Sequence, residues 1–110
     1  MSKEAYESGA VRGSRKGKGR FDLIPPEAMH RIAERFEEGA EKYPDRNWEK
    51  GIPISRHMDS AFRHMYQYMA GHVDEDHLAA AATNIMMAMT TEDRAGYEMD
   101  ESVLDLPWQQ

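Results

Sequence analysis

Four glutamates, Glu34, Glu37, Glu38 and Glu41, stand at positions i, i+3, i+4 and i+7 of one segment. Residues at this spacing share one face of an α-helix, so the sequence predicts a stripe of carboxylates. The last three form an EExxE pattern, and carboxylates one turn apart can jointly hold a hard cation such as Mg²⁺, which suits phosphate substrates. The alternative is a solvated outer face with ordinary ion pairs, such as Glu38 with Lys42.

His77 and Asn84 are isolated polar residues in a segment rich in alanine and methionine. Because they are seven residues apart, they lie on the same helical face, about two turns from each other. A buried polar group without a partner costs roughly 1–3 kcal/mol, so each needs a hydrogen bond or a ligand. Two interpretations stay open: a hydrogen bond between helices, or two groups that line a metal or substrate site.

A third set of polar residues lies between these two segments. Asp59 and Arg63 are four residues apart, and His57 and His64 share the opposite flank of the same predicted helix. His64 has the chemistry to donate to a phosphate oxygen or to act as an acid or base near neutral pH. The alternatives are a surface ion pair of little energetic value and a histidine that is simply hydrogen-bonded.

Two polar segments flank the glutamate-bearing helix and offer what a nucleotide needs. They carry cations for phosphates, an amide for base edges and an indole for stacking, although a large aromatic residue can equally serve as a core plug. The residues are Lys16, Lys18 and Arg20 before the helix, and Arg46, Asn47, Trp48 and Lys50 after it.

Three helices are predicted to position these groups, over residues 26–43, 56–70 and 75–90. Pro44 ends the first helix and Gly71 ends the second. Apolar residues at helical spacing predict the core faces of the first two helices. They are Met29, Ile32, Ala33, Phe36, Ala40 and Tyr43 in the first, and Met58, Ala61, Phe62, Met65 and Met69 in the second.

The predicted third helix is apolar nearly all round, which is typical of a helix buried on several sides. Ser55 is a good N-cap for the second helix, and Asp74 or Asp76 for the third. In a chain with three helices of this length, the other two can hardly cover the third helix on all sides. We therefore expect an all-α bundle of three main helices that is completed by homo-oligomerisation, as a dimer or a tetramer.

The 110-residue chain has room for one domain, and we expect three parts in it. Residues 1–20 form a flexible, basic segment, residues 21–91 form the all-α domain, and residues 92–110 form an acidic tail. The tail is expected to dock Leu104, Leu106 and Trp108 onto the domain.

The charge distribution bears on partners. Residues 12–20 carry a charge of +5. Because the net charge of the whole chain is −6, all the other residues together carry −11. An acidic body disfavours a broad nucleic-acid-binding face. No apolar run suits a membrane span or a signal peptide. The chain has no cysteine, which is compatible with the cytoplasm.

Several motifs together resemble a known family. These are DLIPPEA at residues 22–28, GAEKY at 39–43, DRNWEKG at 45–51, Asp59 with Arg63 and His64, and His77 with Asn84. The pattern is similar to that of the phage and bacterial dATP/dGTP diphosphohydrolases.

The resemblance implies hydrolysis of a purine deoxynucleoside triphosphate to monophosphate and pyrophosphate, in the cytoplasm of a host cell if the source is a phage. It also implies an architecture related to the MazG-like all-α pyrophosphohydrolases, which are oligomeric and hold Mg²⁺ with EExxE and ExxD motifs. Here Asn84 stands where the ExxD aspartate would fall.

The same resemblance implies a set of site residues, with Mg²⁺ as cofactor, Mn²⁺ as its substitute and a nucleotide as substrate. Glu38 and His64 would be catalytic, with Glu38 as the base. An alternative centre would use Glu27, Asp59, His64 and His77. The metal ligands would be Glu38, Glu41, Asp76, His77 and Asn84, and the substrate-binding residues Lys16, Lys18, Arg20, Lys42, Asn47, Trp48, Asp59 and Arg63.

Two other functions are compatible with the sequence. The missing ExxD acid is consistent with a non-catalytic module that binds a nucleotide or a protein through residues 44–54. The basic stretch at residues 12–20 is consistent with nucleic-acid binding, although the acidic body argues against it.

Overall fold

The computed structural model describes residues 3–110 and is built on three helices. They are α1 (Pro26–Lys42), α2 (Ile54–Met69) and α3 (His77–Arg94). Pro26 in the first turn starts α1 at no hydrogen-bonding cost, and Asp76 caps α3 by accepting from the Ala79 N–H at 3.1 Å. The predicted all-α fold is confirmed, and α3 extends four residues beyond its predicted end.

Helices α2 and α3 form an antiparallel pair with a closely packed seam. The seam is built from small residues, because Ala61 is 1% exposed and Ala80 is not exposed at all. The buried face of α2 consists of Ile54, His57, Ala61 and His64. Two of its four residues are therefore histidines, which need polar partners on α3.

Of the core face predicted for α2, Ala61 is buried as expected, but most of the larger residues are not buried in the single chain. Phe62 is 63% exposed and Met69 is 83% exposed, while Met65 is also exposed and Met58 is half-buried. The alanine-rich surface of α3 admits a close approach, which the smaller face around Ala61 satisfies better than the face with Phe62.

Helix α1 lies against α3 more loosely. None of its residues is fully buried, and of its predicted core stripe only Ile32 and Phe36 are half-buried. Two ion pairs hold it to the start of α3: Arg31 to Asp76 at 2.7 Å and Arg35 to Glu75 at 2.8 Å. Met29, Ala33, Ala40 and Tyr43, also predicted for the core, are exposed.

Two short strands precede the helices. Strand β1 (Lys3–Ala5) pairs with β2 (Val11–Gly13) in antiparallel register, with Glu4 opposite Arg12. The sequence analysis did not predict this hairpin. The expected flexibility of residues 1–20 stays a prediction, and Met1 and Ser2 lie outside the described residues.

The tail returns to the start of α2. Met99 and Val103 are buried, and Gly51, at φ 114°, lies so close that a Cβ there would sit 3.5 Å from Val103. Ser55 is not the N-cap that the sequence predicts: its N–H and Oγ–H both donate to Asp105, at 3.0 and 2.5 Å. The Asp105 carboxylate thus accepts a hydrogen bond from a backbone N–H in the first turn of α2, which would otherwise lack a partner within the helix.

The apolar docking predicted for the tail is only partly correct. Leu104 and Leu106 are half-buried, but Trp108 is 75% exposed. The radius of gyration is 18.2 Å, against about 13 Å for a compact chain of this length. Within the part of the chain that the structure describes, no helix has the length and apolarity needed to cross a membrane.

Candidate functional site

An open cleft of about 980 Å³ lies between α1, α2, α3 and the loop that joins α1 to α2. This volume is at the upper end of the range for small-molecule sites. The cleft is lined by Ala33, Arg35, Phe36, Glu37, Gly39, Ala40, Tyr43, Pro44, Asp45, Arg46, Asn47, Trp48, Glu49, Ile52, Arg56, His57, Ser60, Thr83, Asn84 and Met87.

The loop wall of the cleft is shaped by a left-handed residue and an ion pair. Arg46 has a φ of 59°, which is uncommon for a residue with a side chain and often marks a functional segment. A short 3-10 helix, Asn47–Lys50, follows. Glu49 in this helix accepts from Arg94 of α3 at 2.6 Å, and that hydrogen bond lowers the pKa of the Glu49 carboxyl.

His57 and Thr83 are buried polar residues that line the cleft. His57 is 3% exposed, and Trp48 meets it edge-on with 6.4 Å between ring centroids. Its Nε2 has no hydrogen-bond partner anywhere in residues 3–110. Burial lowers the pKa of His57, opposed by a weaker interaction with the Asn84 side chain. The cleft therefore has a buried imidazole in its wall, and one nitrogen of this ring lacks a hydrogen-bond partner among the described residues.

The cleft also concentrates charge of both signs. Arg35, Arg46 and Arg56 supply guanidinium groups, which suit phosphate oxygens. Glu37 and Asp45 supply carboxylate oxygens, which are ligands for a hard cation. The combination suits an anionic ligand that carries a divalent metal.

A second polar cluster lies at the other end of the α2–α3 seam. His64 and His77 approach each other with 2.9 Å between their Nδ1 atoms, and Nε2 of His77 donates to Asp74 at 2.8 Å. This hydrogen bond with His77 lowers the pKa of Asp74. The interpretation of His77 as a group that hydrogen-bonds between helices is therefore confirmed.

Two polar contacts connect α2 and α3 at different levels of their seam. His57 and His64 are seven residues apart on α2, and they meet Asn84 and His77, which are seven apart on α3. The two contacts are separated by about two helical turns, or roughly 10 Å along the helices. The Asn84 amide also donates to the Ala80 carbonyl at 2.8 Å.

Within the described part of the chain, two groups of side chains have the geometry to hold a metal. One is His64, Glu75 and His77, and the other is His72, Asp74 and His77, each with ligand atoms within 4.8 Å of one another. Both contain histidine, and neither consists of carboxylates alone.

Three of the site residues predicted from the sequence, Asn47, Trp48 and Asn84, meet in the cleft. His64 and His77 meet each other at the second cluster. The cleft is lined by the indole of Trp48 and by the guanidinium groups of Arg35, Arg46 and Arg56.

The other predicted residues are not brought into the cleft. Glu41 and Lys42 are exposed, and Glu38 pairs with Arg35 at 3.3 Å. Asp76 pairs with Arg31, which lowers the pKa of Asp76 to about 2. The other predicted substrate-binding residues, Lys16, Lys18, Arg20, Asp59 and Arg63, are exposed. Asp59 pairs with Arg63 at 3.1 Å, and Arg20 pairs with Asp22 at 2.8 Å. Lys16 lines a separate pocket of about 460 Å³. Their assigned roles stay predictions.

Sequence reasoning missed Arg35, Arg56 and the significance of His57. The available signal was the matched spacing of His57 to His64 and of His77 to Asn84, which is seven residues in both helices. Arg35 directly follows Glu34 of the carboxylate stripe, and only the packing of α1 on α3 shows that its side chain reaches the cleft.

The fold defines an all-α protein with an open cleft that is lined by charged and aromatic residues. A family model described as dATP/dGTP diphosphohydrolase, N-terminal, matches residues 8–102, and the chain belongs to this family. No curated protein matches the chain, and no solved structure matches it.

Proposed function

We propose that the protein hydrolyses a purine deoxynucleoside triphosphate to the monophosphate and pyrophosphate, and that the substrate binds in the cleft. The family supports the reaction class. The observation that carries the proposal is the composition of the cleft wall, which combines an indole, three guanidinium groups, carboxylates and a buried unsatisfied imidazole.

The base is proposed to bind at the loop end of the cleft. Trp48 offers a flat surface for stacking, an interaction worth roughly 1–3 kcal/mol per base. Asn47 and Asn84 offer amide groups that can hydrogen-bond to a base edge. This arrangement favours a purine, since its larger ring covers more of the indole surface.

The triphosphate is proposed to run along α1. Arg35, Arg46 and Arg56 would hold its oxygens and neutralise charge that develops as the bond to phosphorus breaks. The predicted contacts of Lys16, Lys18, Arg20, Lys42 and Arg63 with phosphate need the N-terminal segment or a second copy of the chain to reach the cleft.

Mg²⁺ is the proposed cofactor, with Mn²⁺ as its substitute. The oxygen donors of the cleft, Glu37 and Asp45, fit the ligand preference of this ion. Bound there, Mg²⁺ would supply charge neutralisation and a more acidic water. Glu38 is the proposed base, and Glu41 lies one turn along the same helix from Glu37, where it can complete the ligand set.

A second copy of the chain is the proposed partner, in a dimer or a tetramer. The outward face of α2 exposes Phe62, Tyr66 and Met69, and α3 exposes Leu78 and Ile85. Apolar surface of this extent on helices favours association. Cytoplasmic localisation is part of the same proposal, because the nucleotide substrate is found there.

Pyrophosphate release tests the proposal. The purified protein, incubated with Mg²⁺ or Mn²⁺, should release pyrophosphate from dATP or dGTP and more slowly from dCTP and dTTP. Absence of turnover with every common nucleotide would refute the enzymatic function. Variants Glu37→Gln, Glu38→Gln and Glu41→Gln then identify the carboxylates used, and full activity in Asn84→Ala would place the reaction outside the cleft.

A non-catalytic nucleotide-binding module is the second candidate. It is favoured by the position of Asn84 and by the histidine content of both metal-capable groups in residues 3–110. Calorimetry that finds dATP or dGTP affinity without any pyrophosphate release would support it.

A further inference from the structure

We propose that His64, Glu75 and His77 form a binding site for a transition-metal ion of the Zn²⁺ or Co²⁺ type, at the turn between α2 and α3. The site lies at the His64–His77 contact of the α2–α3 seam, about two helical turns from the cleft residues His57 and Asn84. It rests on the geometry of these three side chains and does not depend on the proposed hydrolytic function.

The distances suit ligands of one ion. The Nδ1 atoms of His64 and His77 are 2.9 Å apart, and Oε1 of Glu75 lies 3.8 Å from Nδ1 of His64. Two ligand atoms that each lie about 2.0–2.1 Å from an ion are separated by roughly 3.0–3.4 Å when they are neighbours in its shell. Small side-chain movements therefore bring all three to coordination distance.

The proton positions also favour a metal. Because Nε2 of His77 donates to the Asp74 carboxylate, Nδ1 of His77 carries a lone pair when the ring is neutral. Nδ1 of His64 must then supply the only proton between the rings. On metal binding this proton moves to Nε2 of His64, which leaves two lone pairs for the ion.

The surroundings hold the ligands in place. The side chain of His64 is only 10% exposed, and that of His77 is not exposed at all. The His77–Asp74 pair reproduces the carboxylate–histidine arrangement that commonly supports a metal-bound imidazole. Arg35 contacts the same Oε1 of Glu75 at 2.8 Å, which holds this oxygen beside His64.

The donor set decides the class of ion. Two imidazole nitrogens and one carboxylate suit borderline ions such as Zn²⁺ and Co²⁺, whereas Mg²⁺ prefers oxygen ligands. Three protein ligands leave a further position for water or a small ligand, as in zinc sites that are not purely structural. Glu75 is the exposed member, so the open position faces solvent.

Metal titration of the metal-free, full-length protein without nucleotide tests the site. Co²⁺ should bind once per chain and give visible absorption bands, and Zn²⁺ should displace it in calorimetry. His64→Gln and Glu75→Gln should abolish the Co²⁺ bands at stoichiometric metal. Asp74→Asn should lower affinity by about 10–100-fold while the bands remain. His30→Gln, which alters an exposed histidine, is the matched control.

Three results would overturn the proposal: no binding of Co²⁺ or Zn²⁺, unchanged bands in Glu75→Gln, or loss of the bands in His72→Gln but not in His64→Gln. The last would assign the ion to His72, Asp74 and His77. Because Glu75 is exposed, its variant should fold as the parent does by circular dichroism, which keeps the test valid if His64→Gln does not fold. Pyrophosphate release is measured separately, so either proposal can fail alone.

Discussion

The two faces of α3 contact their neighbouring helices in opposite ways. Towards α2, the seam is closely packed around Ala61 and Ala80, and its histidines are buried. Towards α1, the contact relies on two ion pairs and leaves a cleft of about 980 Å³. The same helix thus forms a rigid support on one side and one wall of an open site on the other.

This difference explains where chemistry is feasible. A densely packed seam fixes the orientation of its side chains, which preorganises polar groups such as His64 and His77. The looser side has the space to admit a ligand, and His57 of the seam lines its cleft. Each prediction below changes one side while a matched variant changes the other side or the surface.

The largest effect is expected in the seam. Ala80→Leu inserts three carbons where the parent side chain has no exposed surface, so overpacking should lower the free energy of unfolding by about 3 kcal/mol. Ala40→Leu, an identical change in the cleft wall, should alter it by less than about 0.5 kcal/mol because the site is exposed. Urea denaturation measures both. Equal losses in the two variants would refute the distinction between the faces.

The next effect concerns the ligand. Trp48→Ala should reduce kcat/KM for the preferred purine triphosphate by roughly 30-fold, the equivalent of about 2 kcal/mol of base stacking. Trp48→Phe should recover most of the loss, because it restores a flat ring. Trp108→Ala is the control, since Trp108 is 75% exposed and does not line the cleft. Unchanged kinetics in Trp48→Ala would exclude a stacking role.

The sequence predicts the elements well and their relative placement poorly, and the two faces show why. Helix ends depend on local signals such as Pro44 and Gly71, so their bounds are close to those observed. The match of His57 with Asn84 and of His64 with His77 depends on the register between two helices. That register follows from how closely the surfaces around Ala61 and Ala80 can approach, which spacing along one helix does not reveal.

The candidate site shows the same limit. Asn47, Trp48 and Asn84 were predictable from their types and positions, because loop residues after a helix and a polar residue in an apolar helix both stand out. Arg35 and Arg56 look like ordinary surface cations in the sequence. Only the relative positions of α1, α2 and α3 direct them into the cleft.

A smaller effect is expected where the tail caps α2. Ser55→Ala removes the hydroxyl that donates to Asp105, so the free energy of unfolding should fall by about 1 kcal/mol. Ser102→Ala, at an exposed position of the tail, should change it by less than about 0.5 kcal/mol. Thermal unfolding of the two variants at neutral pH distinguishes these outcomes. A parent-like melting curve for Ser55→Ala would show that the tail does not support the seam.

The smallest effect is expected at the ion pairs of α1, and it should depend on pH. Arg31 holds the pKa of Asp76 at about 2, below the usual value of 3.8. A carboxyl whose pKa is lower in the folded state stabilises the fold fully above its unfolded pKa, and this contribution is lost as pH falls through the folded value. Solvent screens the half-exposed pair, so the loss in Arg31→Gln should be smaller than in Ser55→Ala.

The urea midpoint of Arg31→Gln should therefore lie slightly below that of the parent from pH 5 to 7, and the two should converge between pH 4 and pH 2. Arg63→Gln removes a comparable pair with Asp59 that lies within α2, and it should show no such pH-dependent loss of the α1 contact. If the cleft depends on these ion pairs, Arg31→Gln should also raise KM while kcat changes less, because α1 would be held less firmly. An unchanged KM would mean that the half-buried contacts of Ile32 and Phe36 are sufficient to position α1.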